Sequence, residues 1–339
     1  MLGDSFMGAK RVDEAETTFL RLLGLQTERW GQEHEAVRAT QRKLGHLYMQ
    51  SKRLVKSADY FMLALDAPKL DTRPLQEARM LCEMLLLVGE NPKSVDLRTA
   101  LADAQSRTYG ETDTRTIHTR AEVAITYARS GDRTSAERAI LHLVELVGEE
   151  HLETLRCRMW MGVLLSKEED WEEAHILLDA AYGRAKAKLG PANRLTLQIA
   201  GVRARALLNS GKAAQAETFT REILATTTKQ AGEQTKTTFD CVILLAAICV
   251  ELGQHEEANK LASRAIEIQT HLREFLSRNK LGNLGRIIEV LKELRARDFP
   301  INEQQLKNAL TAATSIAREK GDERLNQWQR LLEQLEQVK

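Results

Sequence analysis

The sequence predicts an all-α solenoid, in which two-helix units stack side by side. A small residue, usually alanine, recurs at intervals of 36 to 43 residues. Glycines recur at fixed distances before and after it. The chain of 339 residues contains only 5 prolines, which suits a structure built mostly of helices. A period on this scale is typical of a repeat whose unit is one pair of helices.

The recurring small residue marks the beginning of the second helix in each unit. In three units a glycine lies five residues upstream of it, at Gly131, Gly211 and Gly253, and predicts the turn between the two helices. The small residues are Ala15, Ala58, Ser94, Ala136, Ala174, Ala216 and Ala258.

A second set of glycines closes the units, and a threonine or valine follows each of them six residues later. Glycine after a helix can take the left-handed conformation, and the polar stretch behind it begins the next helix. The pairs are Gly31 with Val37, Gly110 with Thr116, Gly148 with Thr154, Gly190 with Thr196 and Gly232 with Thr238.

The first helix of each unit carries a five-residue phrase: a large apolar residue, a small residue, two variable positions, and an aromatic or apolar residue. Helices that approach within about 8 to 10 Å need a small residue at the crossing point and larger apolar residues around it. The unit at Arg203 keeps the small residue but loses the leading apolar one. The phrases occupy residues 44–48, 81–85, 123–127, 161–165, 203–207 and 245–249.

This phrase, the turn glycine and the following alanine resemble the tetratricopeptide repeat. The period of about 42 residues, with a closing Leu-Gly or Tyr-Gly, is similar to the longer repeats of kinesin light chains. The resemblance covers about residues 1–272 and implies a right-handed superhelical α-solenoid that binds protein partners. The asparagines that kinesin light chains place just before the large residue are missing here, so a cargo grip of the kinesin type is not expected.

We expect two regions: a tetratricopeptide-like array over residues 1–272, with about seven units, and a C-terminal helical cap over residues 273–339. Residues 2–6 fit the phrase, so the first unit begins with half a helix, and we expect a fragment of a longer protein. Asn302 is expected to begin a helix that ends near Lys320. A final amphipathic helix either caps the array or binds a partner; its apolar stripe is Leu325, Trp328, Leu331, Leu332 and Leu335.

The composition excludes several classes of function. Lys plus Arg number 49 and Asp plus Glu 48, and this balance argues against a general role on nucleic acid. The chain is too polar for a membrane span and has no secretion signal, so we expect a cytoplasmic protein. The cysteines are expected to be small packing residues in a reducing compartment; they are Cys82, Cys157, Cys241 and Cys249.

Catalytic signatures are missing from the sequence. We find no glycine-rich phosphate loop, no Gly-x-Ser-x-Gly and no His-Glu-x-x-His. His34 and His151 follow closing glycines, where a polar turn residue is a sufficient explanation. We therefore expect no enzyme activity, no cofactor and no metal site.

The resemblance places a partner-binding groove on the concave wall made by the first helices. Its lining is basic toward the first half and apolar in the last unit, which suits a peptide with an acidic and an apolar part. The expected groove residues are Arg42, Lys43, His46, Arg79, Glu83, Glu122, Arg129, Arg156, Trp160, Arg205, Ile243, Leu244 and Ala247.

Two alternatives stay open at this point. Trp160 either contacts a partner or lies in the core. Ile243, Leu244 and Val250 either face a partner or are covered by the C-terminal helices.

The sequence indicates a scaffold or sensor module that binds a peptide or protein segment, from another protein or from its own longer chain. The alternative is a free-standing regulator whose curvature responds to a small molecule or short peptide.

Overall fold

The computed structural model describes residues 11–66, 72–89, 91–271, 280–297, 301, 303–320, 322 and 324–337. Within these ranges the backbone forms sixteen α-helices and no strand, which confirms the all-α prediction. In chain order they are α1 (Val12–Trp30), α2 (Glu35–Gln50), α3 (Leu54–Leu65), α4 (Thr72–Leu87), α5 (Asn91–Tyr109), α6 (Thr114–Ser130), α7 (Arg133–Val147), α8 (Leu152–Lys167), α9 (Trp171–Leu189), α10 (Arg194–Asn209), α11 (Ala213–Ala231), α12 (Lys236–Glu251), α13 (His255–His271), α14 (Lys280–Ala296), α15 (Glu303–Lys320) and α16 (Leu325–Gln337).

The chain folds as two compact halves, Met1–Leu164 and Leu165–Lys339. Each of them contains several helix pairs, and from here on they are called the first and the second unit. In the first unit each helix from α1 to α7 packs on the next one, and the second helices α3 and α5 also touch. In the second unit the helices from α9 to α16 pack in the same sequential way. Its first helix α12 contacts α10 before it and α14 after it. Each unit is therefore a solenoid of helical hairpins, as predicted, while the handedness of a superhelix stays a prediction.

All seven recurring small residues are completely buried, from Ala15 to Ala258. Where Ser94 replaces alanine, its hydroxyl donates to the Cys82 carbonyl at 3.1 Å, so the polar group is satisfied in the core. Gly45, the small residue of the first complete phrase, lies under Phe61: a Cβ added there would be 3.0 Å from the ring. The period in the sequence is the spacing of these helix crossings.

The closing glycines have a positive φ, but four of them do not adopt the left-handed helical conformation that we predicted. Gly31, Gly148, Gly190 and Gly232 combine φ of 80 to 93° with ψ of 160 to 166°, a region that is essentially restricted to glycine. The chain leaves these helices in an extended conformation that carries it toward the next helix. The left-handed conformation appears instead at Gly131, in the turn inside a hairpin.

The threonine six residues after the closing glycine holds the turn together. Its hydroxyl donates to the glycine carbonyl, from Thr116 to Gly110 at 2.9 Å and from Thr238 to Gly232 at 2.7 Å. Thr154 makes the same bond to Gly148. The bond satisfies a carbonyl that the preceding helix leaves open and ties the next helix to it.

The residue three positions after the closing glycine caps the next helix. His34 and His151 each accept a backbone N–H through Nδ1 at 3.2 Å, and Asp113, Asn193 and Thr235 do the same with side-chain oxygens. Both histidines are thus turn residues, as the sequence indicated.

The helices beyond residue 271 pack on the array. Ile243, which is 2% exposed, and Val250 share a core with side chains of α14, α15 and α16. These two residues of α12 are therefore covered by the C-terminal helices. They do not form an open apolar surface for a partner. Trp328 of α16 is 1% exposed and belongs to the same core. The predicted boundary at residue 272 stays a prediction.

Three predicted details lie outside the described residues: the phrase at residues 2–6, the cap at Asn302 and the side chain of Leu335. The helix expected after Asn302 is α15, Glu303–Lys320. Asp322 precedes α16 and accepts the backbone N–H of Arg324 at 3.0 Å. The final amphipathic helix is thus present in the described range, with Leu325, Leu331 and Leu332 half-buried.

All four cysteines are buried and carry free thiols, so they are packing residues as predicted. Burial raises the pKa of the Cys82 thiol to about 12, and those of Cys241 and Cys249 to about 11. Burial also raises the pKa of Cys157. The thiolate, which is the reactive form, is therefore scarce at neutral pH.

We expect the folded protein to resist a thiol reagent at mildly alkaline pH, because its cysteines are both inaccessible and protonated. The measurement is the rate of colour release from Ellman's reagent, with the guanidinium-unfolded protein as the control that reacts at all four positions. A thiol that reacts in the folded state as fast as in the unfolded state would contradict the burial of these residues.

We expect Gly45→Ala to destabilise the first unit by about 1 to 3 kcal/mol, because the new methyl group meets the Phe61 ring. The matched control is Gly24→Ala, which lies inside α1 with no atom near its Cβ and should stabilise the helix by up to about 1 kcal/mol. Urea denaturation followed by circular dichroism measures both. Equal shifts for the two variants would rule out a close crossing at Gly45.

Candidate partner-binding surfaces

Several predicted groove residues of the first unit form a chain of ion pairs. Arg98 of α5, which is 3% exposed, donates to Glu83 of α4 at 2.6 Å and lies 3.5 Å from Glu122 of α6. Arg156 of α8 donates to Glu122 at 2.6 Å and lies 2.8 Å from Glu153. The structure thus brings Glu83, Glu122 and Arg156 into one series of ion pairs, in which Arg98 and Arg156 largely neutralise the carboxylates.

Glu153 is the last residue in this series of ion pairs. Burial alone would raise the pKa of its carboxyl, but the hydrogen bond with His118 at 2.9 Å and the charge of Arg156 lower it. Because the folded-state pKa is lowered, this group stabilises the fold at neutral pH. That contribution is lost as the pH falls through the folded-state pKa.

Arg98 was missed by the sequence analysis, which considered only first helices. It lies in a second helix, four residues after the buried Ser94, and its Nε donates to the Ser94 hydroxyl at 3.4 Å. Residues four apart share one face of a helix. An arginine on the same helix face as the buried crossing residue cannot point to solvent. The spacing of four residues from Ser94 could therefore have indicated that Arg98 is buried.

Trp160 is half-buried, and the guanidinium of Arg129 lies over its ring, 5.5 Å from the centroid. Neither of the two earlier interpretations describes it fully. One face is covered by a cation–π contact within the unit, while part of the ring stays accessible. Trp160 and Arg129 therefore lie next to each other, as expected if both line the predicted groove. Their role in binding stays a prediction.

The other predicted cations of the first unit differ in their surroundings. His46 pairs with Glu77 at 3.0 Å, and Lys43 lies over the Phe19 ring. Arg42 is half-buried and Arg79 is exposed. Arg79 is therefore more available to a partner than His46 is.

A cleft of about 440 Å³ opens in the second unit, between α10, α12 and α14 and the last helix α16. It brings together the four groove residues predicted in this unit, which are Arg205, Ile243, Leu244 and Ala247. The rest of the lining is Leu208, Asn209, Gly285, Arg286, Glu289, Val290, Arg324 and Trp328. The lining thus combines apolar residues of α10, α12, α14 and α16 with three arginines.

Two acidic groups near the cleft are already engaged. Asp240 accepts from Arg286 at 2.5 Å and also from Lys236 at 3.2 Å. Glu289 pairs with Lys292 at 3.0 Å. These carboxylates therefore have their own cationic partners inside the unit.

Arg205 is the exception among the arginines of the cleft. It is exposed and forms no ion pair or hydrogen bond with any residue that the structure describes. Its pKa is lowered, first by partial removal of water and then by the charge of Arg286, although Asp240 opposes this. The cleft thus contains one arginine that has no direct ion pair within the described part of the chain.

Trp328 forms the wall of the cleft on the α16 side. A Cβ at Gly285 would lie 3.4 Å from its ring, so the small residue of a phrase-like segment in α14 accommodates α16. Arg324 lies over the ring at 4.9 Å and pairs with Asp322 at 2.8 Å. The buried indole nitrogen finds no acceptor in the described part of the chain.

Stacked hairpins, a buried small residue at each crossing and glycine-closed units define a tetratricopeptide-like repeat protein, as the resemblance implied. No protein-family model and no curated protein matches the chain. Solved structures do match it. A putative kinesin light chain with nearly identical TPR-like repeats from Podosopora anserina is 19% identical over 59% of this chain and 96% of its own, with a TM-score of 0.49.

Two further structures match most of the chain. RapI in its apo form is 10% identical over 98% of this chain and 95% of its own, with a TM-score of 0.50. Aspartyl phosphate phosphatase F from Bacillus subtilis is 10% identical over 86% of this chain and 74% of its own, with the same TM-score. At these identities the likeness concerns the fold alone, and the expectation that the chain is not an enzyme stays a prediction.

A search of the described side chains finds no group of three or more His, Cys, Asp or Glu that could hold a metal ion. The described helices include none that combines the length and the apolar character needed to cross a membrane.

We expect Arg156→Glu to lower the free energy of unfolding by about 2 kcal/mol, because it removes a charged hydrogen bond to Glu122 and an ion pair with Glu153, and places a third carboxylate between them. The control is Arg79→Glu, an exposed reversal that should change stability by less than about 0.5 kcal/mol. Both are measured by urea denaturation. If the two variants are equally stable, the ion-pair chain does not contribute to the fold.

Proposed function

We propose that this chain is a protein-interaction module that binds a peptide, or an exposed segment of another protein, on walls formed by its first helices. The observation that carries the proposal is the cleft of the second unit. Its volume lies within the range of ligand sites, about 300 to 1,000 Å³. Its lining is largely apolar, and Arg205 supplies a cation that has no ion-pair partner among the described residues.

The first unit contributes a second candidate surface around Trp160 and Arg129. A partly accessible tryptophan beside an arginine is a combination that is enriched among the residues that dominate binding energies. Arg79 adds an exposed cation on the same type of helix. Each of the two surfaces can be tested by its own variants.

The near balance of charge favours a protein partner over nucleic acid, because binding to phosphate backbones needs a clear excess of cations. The partner is a separate peptide or protein, or a segment of this protein's own longer chain. The proposal also places this sensor or scaffold in the cytoplasm. No catalytic step is assigned to it.

We expect peptides selected on the wild-type protein from a random display library to depend on one of the two surfaces. Arg205→Glu and Ala247→Trp, which reverse the unpaired charge and fill the cleft, should each abolish binding of one group of peptides. Trp160→Ala should abolish binding of another group. Biolayer interferometry with the synthesised peptides measures the affinities.

The matched control is Arg318→Glu, a charge reversal at an exposed position of α15 that does not line the cleft. Every selected peptide should bind it as it binds the wild type. Peptides that bind all five proteins equally well would place recognition elsewhere, and would remove both surfaces from the proposal.

A further inference from the structure

Two turns inside helical hairpins contain a charged residue in a backbone conformation that favours glycine. Gly131 and Gly211 each stand directly before the N-cap of a second helix, with φ of 87° and 78°. At the same place in two other hairpins, Lys52 has φ of 60° and Glu169 has φ of 61°. Among the described residues these are the only two with a positive φ that are not glycine. Because glycine adopts this conformation at no steric cost, the turn itself explains neither charged residue.

The turn at Lys52 lies beside an opening in the first unit. This opening, the lysine cleft, has a volume of about 340 Å³. Its apolar wall consists of Leu54, Val55 and Val88, and its other lining residues are Lys52, Arg53 and Lys56. Val55 is 40% exposed, Val88 is 60% exposed and the adjacent Leu87 is 86% exposed. Single exposed apolar residues are common, but a group of them beside a cleft indicates a contact surface.

The lysines of this cleft are available to an anionic partner. Arg53 is already engaged, since it donates to Glu16 at 2.7 Å. Lys52 has no ion-pair partner in the described part of the chain. Lys56 is exposed and lies over the Tyr48 ring, 5.5 Å from its centroid. An occupant of the lysine cleft should therefore combine an apolar side chain with acidic groups.

The turn at Glu169, in the second unit, has this combination. Residues 168–173 read Glu-Glu-Asp-Trp-Glu-Glu, after a single lysine at position 167. Glu169 and Glu172 are exposed and have no ion-pair partner among the described residues. Ile176 of α9 is 66% exposed and lies four residues after Glu172, so the two share one face of the helix. We call this surface, residues 168–173 with Ile176, the glutamate turn.

We propose that the lysine cleft receives the glutamate turn of a second copy of this chain. Ile176 of that copy packs on the apolar wall of the cleft. Its two glutamates, Glu169 and Glu172, face Lys52 and Lys56. Neither surface suits its own counterpart on the other copy, because like charges would meet. The contact therefore joins two different surfaces, and it is made twice if a two-fold axis relates the copies.

The test is sedimentation velocity of the full chain, from micromolar to nearly millimolar protein concentration. We expect the sedimentation coefficient to rise with concentration, and the association to weaken in high salt because exposed charges are screened. One double variant, Lys52→Glu with Lys56→Glu, reverses the cleft, and a second, Glu169→Lys with Glu172→Lys, reverses the turn. Each should weaken association at least about tenfold, a difference of 1.4 kcal/mol, because like charges then meet.

An equimolar mixture of the two double variants should associate again. The reversed cleft of one variant is then acidic and meets the reversed, basic turn of the other, while the two unaltered surfaces in the mixture are also complementary. A variant that had merely lost its fold could not recover in this way. Thermal unfolding of each variant alone checks the fold, which should be intact because all four positions are exposed.

The matched control is Arg21→Glu with Arg318→Glu. It changes the net charge as much as the reversal of the cleft does, at two exposed positions that do not line it. This variant should associate as the wild type does. Ile176→Ser, which keeps every charge, should also weaken association because it removes the apolar contact.

Three outcomes would overturn the inference. The first is a sedimentation coefficient that stays constant over the whole concentration range. The second is association that is equally strong in both double variants and in the wild type, because the copies would then meet through other surfaces. The third is a mixture of the two variants that fails to recover, because these two surfaces would then not be partners.

Discussion

Two helices can pack closely only where at least one of them brings a small side chain to the crossing, and each of the seven recurring positions meets this condition with a buried Ala or Ser. The crossing sets the spacing of the helices and the positions at which larger apolar residues fill the gaps. It also places Gly45 against the ring of Phe61. The first helices then line up as walls, and the candidate surfaces depend on that alignment.

The repeat architecture could be predicted because its determinants are local. A small residue, a glycine five positions before it and a glycine at the end of the unit each act within a few residues. The closing glycines show the limit of such reasoning: their positive φ followed from residue type. Their extended ψ depends on the position of the next helix, and the sequence of a single helix pair does not specify that position.

The candidate surfaces were less predictable, because their chemistry depends on side chains that meet across different helices. The repeat pattern placed Glu122 and Arg156 on one wall, but it could not show that they pair, nor that Arg98 enters from a second helix. In the second unit Arg205 and Ile243 line one cleft, and their role in binding stays a prediction. The repeat pattern missed Arg286 and Trp328, because they belong to helices beyond the end of the regular period.

The hydroxyl bond from threonine to the closing glycine is not made at every junction. Val37 has no hydroxyl to offer Gly31, and the buried hydroxyl of Thr196 has no partner among the described residues. The turns between successive hairpins therefore differ in their hydrogen bonds although the hairpins look alike. Those after Gly31 and Gly190 lack the side-chain bond that those after Gly110, Gly148 and Gly232 make, so the array is a series of hairpins with unequal connections.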